Sequence, residues 1–564
     1  MGTYLNPGKT AFEEVIHSEI YVDKTEMIQF INSVVKTEQK YICVSRPRRF
    51  GKTVAAKMLC AYYDRKADSR ELFETRKLAG CPEVHIGDKV ISWDTYLGQF
   101  DVIRLVMTDF LEDSANVEEM LSYLTEEVTE ELMNDYPEIN FGKRINLRTV
   151  MNKIYGTTGR QFVVIIDEWD AVFRVWKNDS KGQTKYLDFL RDWLKNKDYL
   201  SLTYMTGILP IKKYGEHSAL NMFDEYSMNA PMQLAAFTGF TEKEVEELCH
   251  VYEMDFESVS NWYDGYRLSD MIPVDMRRLF RQGDYEGRKI SIYNPLSVVK
   301  AMRSGSVDNY WNKTETYEAL ADYIRLDYDG LKETIALLMD GGRVKVNLKA
   351  YQNDMMTFHS KDDILALLIH LGYLGYEGRQ TQRGIDSEHG EVFIPNKEIL
   401  DEFKTSTNSQ EWVSAFQAFD LSMELLKATW AMKEDKVAEL VENAHNQVES
   451  KTYNDEKALS FCVQLAYYAA QKYYTTILEL ATGKGYADIA YLPSPKYPNF
   501  PALLLELKYD KDETEGLEQI YRQKYMDRLK HYKGNLLLIA ITYSKDRKND
   551  SPEFKHHRCR IVKA

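Results

Sequence analysis

A chain of 564 residues is too long for a single hydrophobic core, and roughly two to four domains are expected. Its content of 44% hydrophobic and 12% aromatic residues excludes an intrinsically disordered protein. The formal net charge of −15 argues against a protein coated for nonspecific nucleic-acid binding. The charge is uneven, however, because residues 520–564 contain twelve Lys and Arg but four Asp and Glu, a local net charge of +8.

Cysteine spacing and the length of apolar runs indicate the cellular localisation of the protein. The six cysteines are scattered without a C-x-x-C pair, which favours reduced thiols over disulfides or a zinc site. Residues 556–559, His-His-Arg-Cys, lack a second ligand pair, and we predict a surface tail there. No apolar run approaches membrane-spanning length, and the N-terminus has neither a secretory signal nor a myristoylation pattern. We expect a cytoplasmic protein without a membrane partner.

The first motif is a basic loop between an apolar run and a predicted helix. The run 41–44, Tyr-Ile-Cys-Val, precedes residues 45–53, Ser-Arg-Pro-Arg-Arg-Phe-Gly-Lys-Thr, and the helix covers 54–63. Strand, Gly-Lys-Thr turn and helix follow one another in a nucleotide-binding P-loop, in which backbone N–H groups and the helix N-terminus hold the phosphates. Lys52 would contact the β/γ-phosphate oxygens, and the Thr53 hydroxyl would ligate Mg²⁺.

This loop departs from the G-x-x-x-x-G-K-[ST] pattern at its first glycine, where the chain has Arg46. A residue with a Cβ has less backbone freedom than glycine at that position. Arg46 and two further arginines place positive charge where phosphates would lie. The predicted ATP-binding residues of the loop are Arg48, Arg49, Gly51, Lys52 and Thr53.

The second motif follows a buried strand. The run 162–166, Phe-Val-Val-Ile-Ile, has the composition of a strand covered on both faces of a parallel sheet, and Asp-Glu-Trp-Asp follows at 167–170. Asp167 can hold Mg²⁺ through water, and Glu168 can orient or deprotonate an attacking water. The pair lies about 115 residues after Lys52, a separation normal for an ATPase core. We interpret Asp170 as part of a solvated acidic turn, which is sufficient to account for an acidic residue at that position.

A third predicted strand, 201–206, ends in Thr206 before Gly207. A polar residue at such a strand end serves as a γ-phosphate sensor in many NTPases, although strand-end threonines are more often structural. Thr206 is therefore a candidate ATP-binding residue.

Six segments resemble the bacterial AAA-ATPase-like family. They are 21–25 Tyr-Val-Asp-Lys-Thr, 46–53 Arg-Pro-Arg-Arg-Phe-Gly-Lys-Thr, 166–168 Ile-Asp-Glu, 206–209 Thr-Gly-Ile-Leu, 262–266 Trp-Tyr-Asp-Gly-Tyr and 293–297 Tyr-Asn-Pro-Leu-Ser. Proteins of this family typically carry a C-terminal nuclease-like domain of the PD-(D/E)XK superfamily. The resemblance implies this fold and domain order for most of the chain, but says little about a biological role.

We therefore expect an α/β protein of five parts. A P-loop NTPase domain with a doubly wound parallel sheet covers 1–230, and a helical lid covers 231–300, with a capped helix beginning at 241–244. A winged-helix-like domain covers 301–405, with a helix at 363–372 and a wing formed by 373–376 and 391–394 around a loop at 377–390. A helical connector covers 406–475, and a restriction-endonuclease-like α/β domain covers 476–564.

The last part carries a second group of chemically competent residues. Residues 502–508, Ala-Leu-Leu-Leu-Glu-Leu-Lys, are apolar enough for a central strand, yet Glu506 and Lys508 would share one face of it. A buried charged pair is costly unless it binds metal or substrate. Asp488, predicted on a neighbouring strand, completes a D…E-x-K pattern in which two carboxylates hold Mg²⁺ and the lysine positions or activates water. Glu479, predicted on the preceding helix, is a further candidate metal ligand.

This region resembles the PD-(D/E)XK nuclease fold. The resemblance implies that Glu479, Asp488, Glu506 and Lys508 occupy the active-site positions, with Gln519 and Tyr525 contributing from the next helix. We expect an ATP-dependent nuclease that uses Mg²⁺ at both sites, or Mn²⁺ at the nuclease site, and binds DNA through the basic C-terminal region. It could form a homo-oligomer, and its domain composition suggests defence or mobile-element biology. The alternative is a nucleotide-dependent switch whose last domain binds nucleic acid or protein without cleavage.

Overall fold

A computed structural model describes most of the chain. The described residues are 2–211, 220–270, 288–311, 317–326, 330–349, 351, 358–381, 384–408, 412–446, 456–481, 486–495, 497–510, 529, 532, 534–544 and 556–564. The chain forms two compact units, one made of residues 1–323 and 345–403 and the other of 324–344 and 404–564. Within the described ranges, no helix is both long and apolar enough to cross a membrane.

The N-terminal part of the first unit is built on a five-stranded parallel sheet. Its helices are α1 (Thr10–Ile16), α2 (Met27–Val34), α3 (Lys52–Tyr63), α4 (Arg70–Phe73), α5 (Met107–Glu112), α6 (Val117–Asp135), α7 (Leu147–Thr158), α8 (Ala171–Val175) and α9 (Ser180–Leu194). Its strands are β1 (Tyr41–Ser45), β2 (Val84–Ile86), β3 (Lys89–Ile91), β4 (Asp101–Val106), β5 (Phe162–Asp167), β6 (Leu200–Gly207) and β7 (Asp224–Tyr226). The order in the sheet is β4-β5-β6-β1-β7, while β2 and β3 form a separate hairpin.

Helices cover both faces of this sheet. On β1, Ile42 and Val44 join a core with residues of α2 and α3, whereas Tyr41 and Cys43 join a second core with residues of α6, α7 and α9. Alternate side chains of a strand point to opposite faces, so a strand buried on both sides is apolar throughout. The predicted doubly wound sheet is confirmed. In such a sheet, ligands bind beyond the carboxyl ends of the strands.

Two three-stranded sheets and several helices follow. The helices are α10 (Glu242–Val251), α11 (Phe256–Tyr263), α12 (Pro295–Ser304), α13 (Tyr317–Ile324), α14 (Leu331–Met339), α15 (Lys361–Leu371) and α16 (Lys397–Ser406). The strands are β8 (Phe240–Thr241), β9 (Tyr266–Asp270), β10 (Arg288–Tyr293), β11 (Val344–Asn347), β12 (Gly375–Thr381) and β13 (Gly384–Phe393). They pair in the orders β8-β10-β9 and β11-β13-β12. The expected capping box is present at the start of α10, between Thr241 and Glu244.

The prediction of a loop over 377–390 is wrong. Strands β12 and β13 pair through it, from Gly375 opposite Phe393 to Thr381 opposite Gly384. The polar composition misled the prediction because an antiparallel hairpin can leave one face exposed to water and still form a regular ladder.

The second unit contains a five-stranded mixed sheet packed against helices. Besides α14, its helices are α17 (Val413–Trp430), α18 (Glu434–Asn446) and α19 (Glu456–Ala466). Its strands are β14 (Tyr474–Ala481), β15 (Tyr486–Pro493), β16 (Ala502–Tyr509), β17 (Leu536–Tyr543) and β18 (His557–Lys563), in the order β14-β15-β16-β17-β18. Only the β16–β17 pair of this described sheet is parallel. Odd-numbered side chains of β15 to β18, such as Leu505 and Ile539, form a core with α17, α18 and α19.

Candidate functional site

The loop between β1 and α3 has the backbone of a tight turn. Gly51, directly before α3, has φ +83°, and Arg49 has φ +72°, both in the left-handed region. The Lys52 ammonium group donates hydrogen bonds to the carbonyl oxygens of Arg46, at 2.9 Å, and Pro47, at 2.8 Å. The loop therefore curls around the amino group of Lys52.

Burial changes the proton affinity of Lys52. The side chain is 8% exposed, and burial lowers its pKa to about 8 despite the opposing effect of three nearby carboxylates. Asp167, at the end of β5, is one of them, and burial raises its pKa while a hydrogen bond with the Thr53 side chain opposes the rise. The fold thus brings together Lys52, Thr53 and Asp167. A hydroxyl and a carboxylate are ligands that suit Mg²⁺, which retains several waters.

Thr206 lies beside this group. In the register of the sheet it is opposite both Asp167 on β5 and Val44 on β1. Its hydroxyl oxygen is fully buried and has no hydrogen-bond partner within the described part of the chain. An unsatisfied buried hydroxyl is costly, so this position is suited to a polar ligand.

Glu168 takes an unusual conformation next to Asp167. Its φ is +54°, which is strained for a residue with a side chain. Its carboxylate Oε2 accepts a hydrogen bond from Arg174 Nη2, on α8, at 2.8 Å. The side chain is 38% exposed and so remains accessible to water.

The interpretation of Asp170 as part of a solvated turn is wrong. Asp170 is fully buried, and its Oδ2 accepts backbone hydrogen bonds from Ile208, at 3.1 Å, and Leu209, at 2.9 Å. Arg174 Nε lies 3.3 Å from the same oxygen. Asp170 therefore joins the acidic turn after β5 to the Thr-Gly-Ile-Leu segment after β6.

The arginines of the loop take different positions. Arg46 is fully buried, donating to the Thr238 hydroxyl and to the carbonyl oxygens of Ser45 and Tyr226, and burial lowers its pKa to about 10. The expectation that Arg46 adds charge at the phosphate position is therefore wrong, because its guanidinium is held inside the protein. Arg48 is partly exposed and Arg49 is exposed.

Residues far along the chain pack on the P-loop. Gly239 donates a backbone hydrogen bond to the Phe50 carbonyl at 2.9 Å, and the rings of Phe50 and Tyr266 meet edge to face at 5.3 Å. The Tyr266 hydroxyl donates to the carbonyl of Gly372 at 2.5 Å. A Cβ added to Gly372 would lie 2.7 Å from the Cβ of Pro47, so this close approach requires glycine.

Sequence reasoning missed a buried carboxylate close to the residues that pack on the P-loop. Glu398, at the start of α16, is 1% exposed and accepts hydrogen bonds from the Ser297 hydroxyl and from the backbone N–H groups of Tyr310 and Trp311. Burial raises its pKa to about 7. The Trp311 ring packs beside Gly372. Ser297 belongs to the Tyr-Asn-Pro-Leu-Ser motif. That motif marked Ser297 in the sequence, but it did not indicate its distant partner Glu398.

The second candidate site lies on β15 and β16. Glu506 and Lys508 are buried, at 1% and 6% exposure, and Lys508 Nζ donates to Glu506 Oε1 at 2.9 Å. Asp488 Oδ2 accepts a backbone hydrogen bond from Leu507 at 2.7 Å. Ile489 is opposite Leu505, so Asp488 is opposite Glu506 on one face of the sheet. Two adjacent carboxylates are suitable ligands for a hydrated divalent cation.

The placement of Glu479 on a helix is wrong. Glu479 lies on β14, between Leu478 and Leu480, which pair with Ile489 and Ala487. Its backbone position is therefore opposite Asp488. The β-branched residues Thr475, Thr476 and Ile477 favour a strand here and were the missed signal.

The remaining predictions for this region have mixed outcomes. Gln519 and Tyr525 lie outside the described residues. The prediction of a surface tail at 556–559 is wrong, because β18 begins at His557, whose fully buried ring forms a hydrogen bond with Glu442 at 2.7 Å. In the part of the chain that the structure describes, no group of three or more His, Cys, Asp or Glu side chains is placed to hold a metal ion.

Two family models match separate parts of the chain. Residues 7–215 match the family model of a predicted AAA-ATPase, and residues 455–552 match that of the PD-(D/E)XK nuclease superfamily. Among solved structures, matches include the Aeropyrum pernix ORC2 protein as ADPNP-ADP complexes and in an ADP form, each 11% identical to this chain. The first covers 70% of this chain and 98% of that chain with a TM-score of 0.22, and the second covers 72% and 99% with 0.26. No curated protein matches the chain.

Proposed function

Because the chain carries an AAA-ATPase-like domain and a PD-(D/E)XK nuclease superfamily domain, we propose that it is an ATP-dependent, metal-dependent DNA nuclease. The observation that carries the proposal is that Asp488 lies opposite Glu506, which is ion-paired with Lys508, on one face of the sheet. Three ionisable groups in such a place are costly to fold and are typical of a site that binds metal and substrate.

The ATP site of the proposal is built on Lys52. Its ammonium group would exchange the carbonyls of Arg46 and Pro47 for phosphate oxygens, which are stronger acceptors because they are charged. Arg48, Arg49 and the Gly51 backbone would border the phosphates, and Thr206 would offer its unpartnered hydroxyl. Mg²⁺ would be held by Thr53 and Asp167.

Hydrolysis of ATP is assigned to Glu168. Its carboxylate would orient or deprotonate the attacking water after separating from Arg174, which would free Oε2 to contact that water. The exposure of its side chain leaves a path for that water.

Cleavage of the phosphodiester is assigned to the second unit. Asp488 and Glu506, with Glu479 as a third acid, would hold Mg²⁺ or Mn²⁺. A bound divalent cation there supplies Lewis acidity and a water of lowered pKa. Lys508 would release Glu506 to the cation and place its own charge next to the attacking water or the developing phosphate charge.

The test is cleavage of supercoiled plasmid and of single-stranded DNA with Mg²⁺ or Mn²⁺, with and without ATP. We expect metal-dependent cutting that ATP accelerates. Glu506→Ala should abolish cutting, and Lys52→Ala should remove only the effect of ATP. Glu439→Ala, an exposed acid on α18, is the matched control and should cut like the wild type.

Two outcomes contradict the proposal in different ways. Cutting that survives Glu506→Ala would come from another site or a contaminant. DNA binding without cutting under every metal and nucleotide condition would favour a nucleotide-dependent switch whose last domain binds without cleavage.

A further inference from the structure

One face of the mixed sheet changes from apolar to charged along its strands. Even-numbered side chains at the start of β16 and β17, such as Leu504 and Leu538, form a small apolar core. Further along the same face, β16 carries Glu506 and Lys508. The charged half of this face is therefore continuous with the proposed nuclease site.

The register of the sheet extends this charged half to its edge strand. Lys508 is opposite Thr542 on β17, and Thr542 is opposite Arg558 on β18. One residue pair nearer the apolar half, Glu506 and Arg560 are both opposite Ala540. Residues opposite each other on paired strands share a face, so acids lie on the β14–β16 side and arginines on the β18 side.

The two arginines on β18, Arg558 and Arg560, differ in their contacts with carboxylates. Arg560 reaches Glu434 on α18, with an Nη1 to Oε2 distance of 3.3 Å. Arg558 is exposed, and no carboxylate in the described ranges pairs with it. The exposed Arg558 guanidinium is accessible to an anionic ligand, and its planar fork suits phosphate oxygens.

We propose, on the basis of the nuclease function above, that Arg558 binds a backbone phosphate of the DNA strand next to the cleaved bond. Arg558 lies two strand spacings from Lys508, or roughly 10 Å at about 4.8 Å per strand. This distance spans only one or two phosphate spacings along a DNA strand, so the contacted phosphate is a close neighbour of the cleaved one. The DNA backbone then crosses the sheet from β18 towards β16.

The test measures binding separately from cutting, in full-length protein carrying Glu506→Ala. A fluorescein-labelled 30-base-pair duplex is titrated at 50 to 300 mM KCl with this parent protein. It is also titrated with three variants of the parent that carry Arg558→Ala, Arg558→Lys or Lys563→Ala as a second substitution. Lys563 is the matched control because it is exposed on the same strand at an odd-numbered position. Thermal melting checks that each variant is folded.

Loss of one phosphate contact should reduce the slope of log affinity against log salt by about 0.9, which corresponds to roughly eight-fold weaker binding at 100 mM salt. Arg558→Lys should keep the slope, and Lys563→Ala should match the parent. An unchanged slope and affinity in Arg558→Ala would overturn this inference and leave the nuclease proposal standing. A parent protein that binds no duplex at any salt would overturn both.

Discussion

Arg174 donates a hydrogen bond to the carboxylate of Glu168 at 2.8 Å, so the proposed catalytic base of the ATPase site lies in an ion pair. The same guanidinium lies 3.3 Å from the buried carboxylate of Asp170. Arg174 thus compensates one negative charge that water can reach and one that it cannot. These two roles predict separate effects on stability and on turnover.

Arg174→Ala should destabilise the protein. It leaves the buried Asp170 carboxylate with two backbone N–H donors but without its paired guanidinium, and breaking a buried pair costs about 3 to 5 kcal/mol. Chemical denaturation measures the loss. Arg191→Ala, which removes a partly exposed pair with Asp188 on α9, is the control and should cost below about 1 kcal/mol. Equal losses in the two variants would contradict a charge-compensating role for Arg174.

Glu168→Gln should preserve ATP binding and stop turnover. The amide can still accept a hydrogen bond from Arg174, so the fold is kept, but it cannot take a proton from water. General-base catalysis contributes roughly 10² to 10⁴ in rate, and kcat should fall by that order. Calorimetry of ATP binding and phosphate release measure the two quantities. A variant that hydrolyses ATP at the wild-type rate would exclude Glu168 as the base.

The sequence predicted the parts of these sites that are contiguous in the chain. Strand, glycine turn and helix around Lys52, and the apolar run before Asp167, are local signals that the fold preserves. The strand carrying Glu506 was predictable because an apolar run interrupted by two same-face charges has few structural alternatives.

Sequence reasoning failed where a side chain depends on distant partners. The Asp170 carboxylate accepts hydrogen bonds from backbone N–H groups 38 and 39 residues away in the chain. The Glu398 carboxylate accepts them from groups 87 and 88 residues away. Neither separation has a pattern that a linear motif could reveal. The helical placement of Glu479 was wrong for a different reason. The predicted helix was extended past the β-branched residues near the start of β14.

ATP affinity should fall as the pH rises above about 8. Burial lowers the pKa of Lys52 to about 8 in the free protein, and bound phosphates would raise it by favouring the ammonium form. Affinity is then complete below the free pKa and falls by up to about ten-fold per pH unit above it. Calorimetry from pH 7 to 9.5 measures the trend, with Lys52→Arg as a control that keeps its proton. Parallel curves for the two proteins would exclude titration of Lys52 as the cause.

The nuclease residues should separate by what each variant loses. Asp488→Ala and Glu506→Ala should lose both Mn²⁺ binding and DNA cleavage, since each removes a carboxylate ligand. Lys508→Ala should keep most of the Mn²⁺ affinity, because it removes a competing cation 2.9 Å from Glu506, and still lose cleavage by about 100-fold or more. Lys436→Ala on α18 is the control. If Lys508→Ala cuts normally, Lys508 only neutralises Glu506 in the metal-free site.

Glu398 should make the stability of the first unit depend on pH. Burial raises its folded pKa to about 7 from an ordinary value of 4.5, and the nearby Glu402 adds to the rise. The folded protein therefore holds a proton between these two values that the unfolded chain releases, and its stability falls as pH increases through this range. The difference corresponds to about 3 kcal/mol between pH 4.5 and pH 8.

Glu398→Gln isolates this effect from every other titrating group. The amide oxygen can accept the two backbone hydrogen bonds that now end on Oε1, and the amide nitrogen can donate to the Ser297 hydroxyl. The variant should match the wild type near pH 5 and exceed its free energy of unfolding above pH 7. Urea denaturation at both pH values gives the comparison. A constant difference across the range would mean that Glu398 does not titrate there, and that Trp311 is held beside the P-loop by an ionised carboxylate at both pH values.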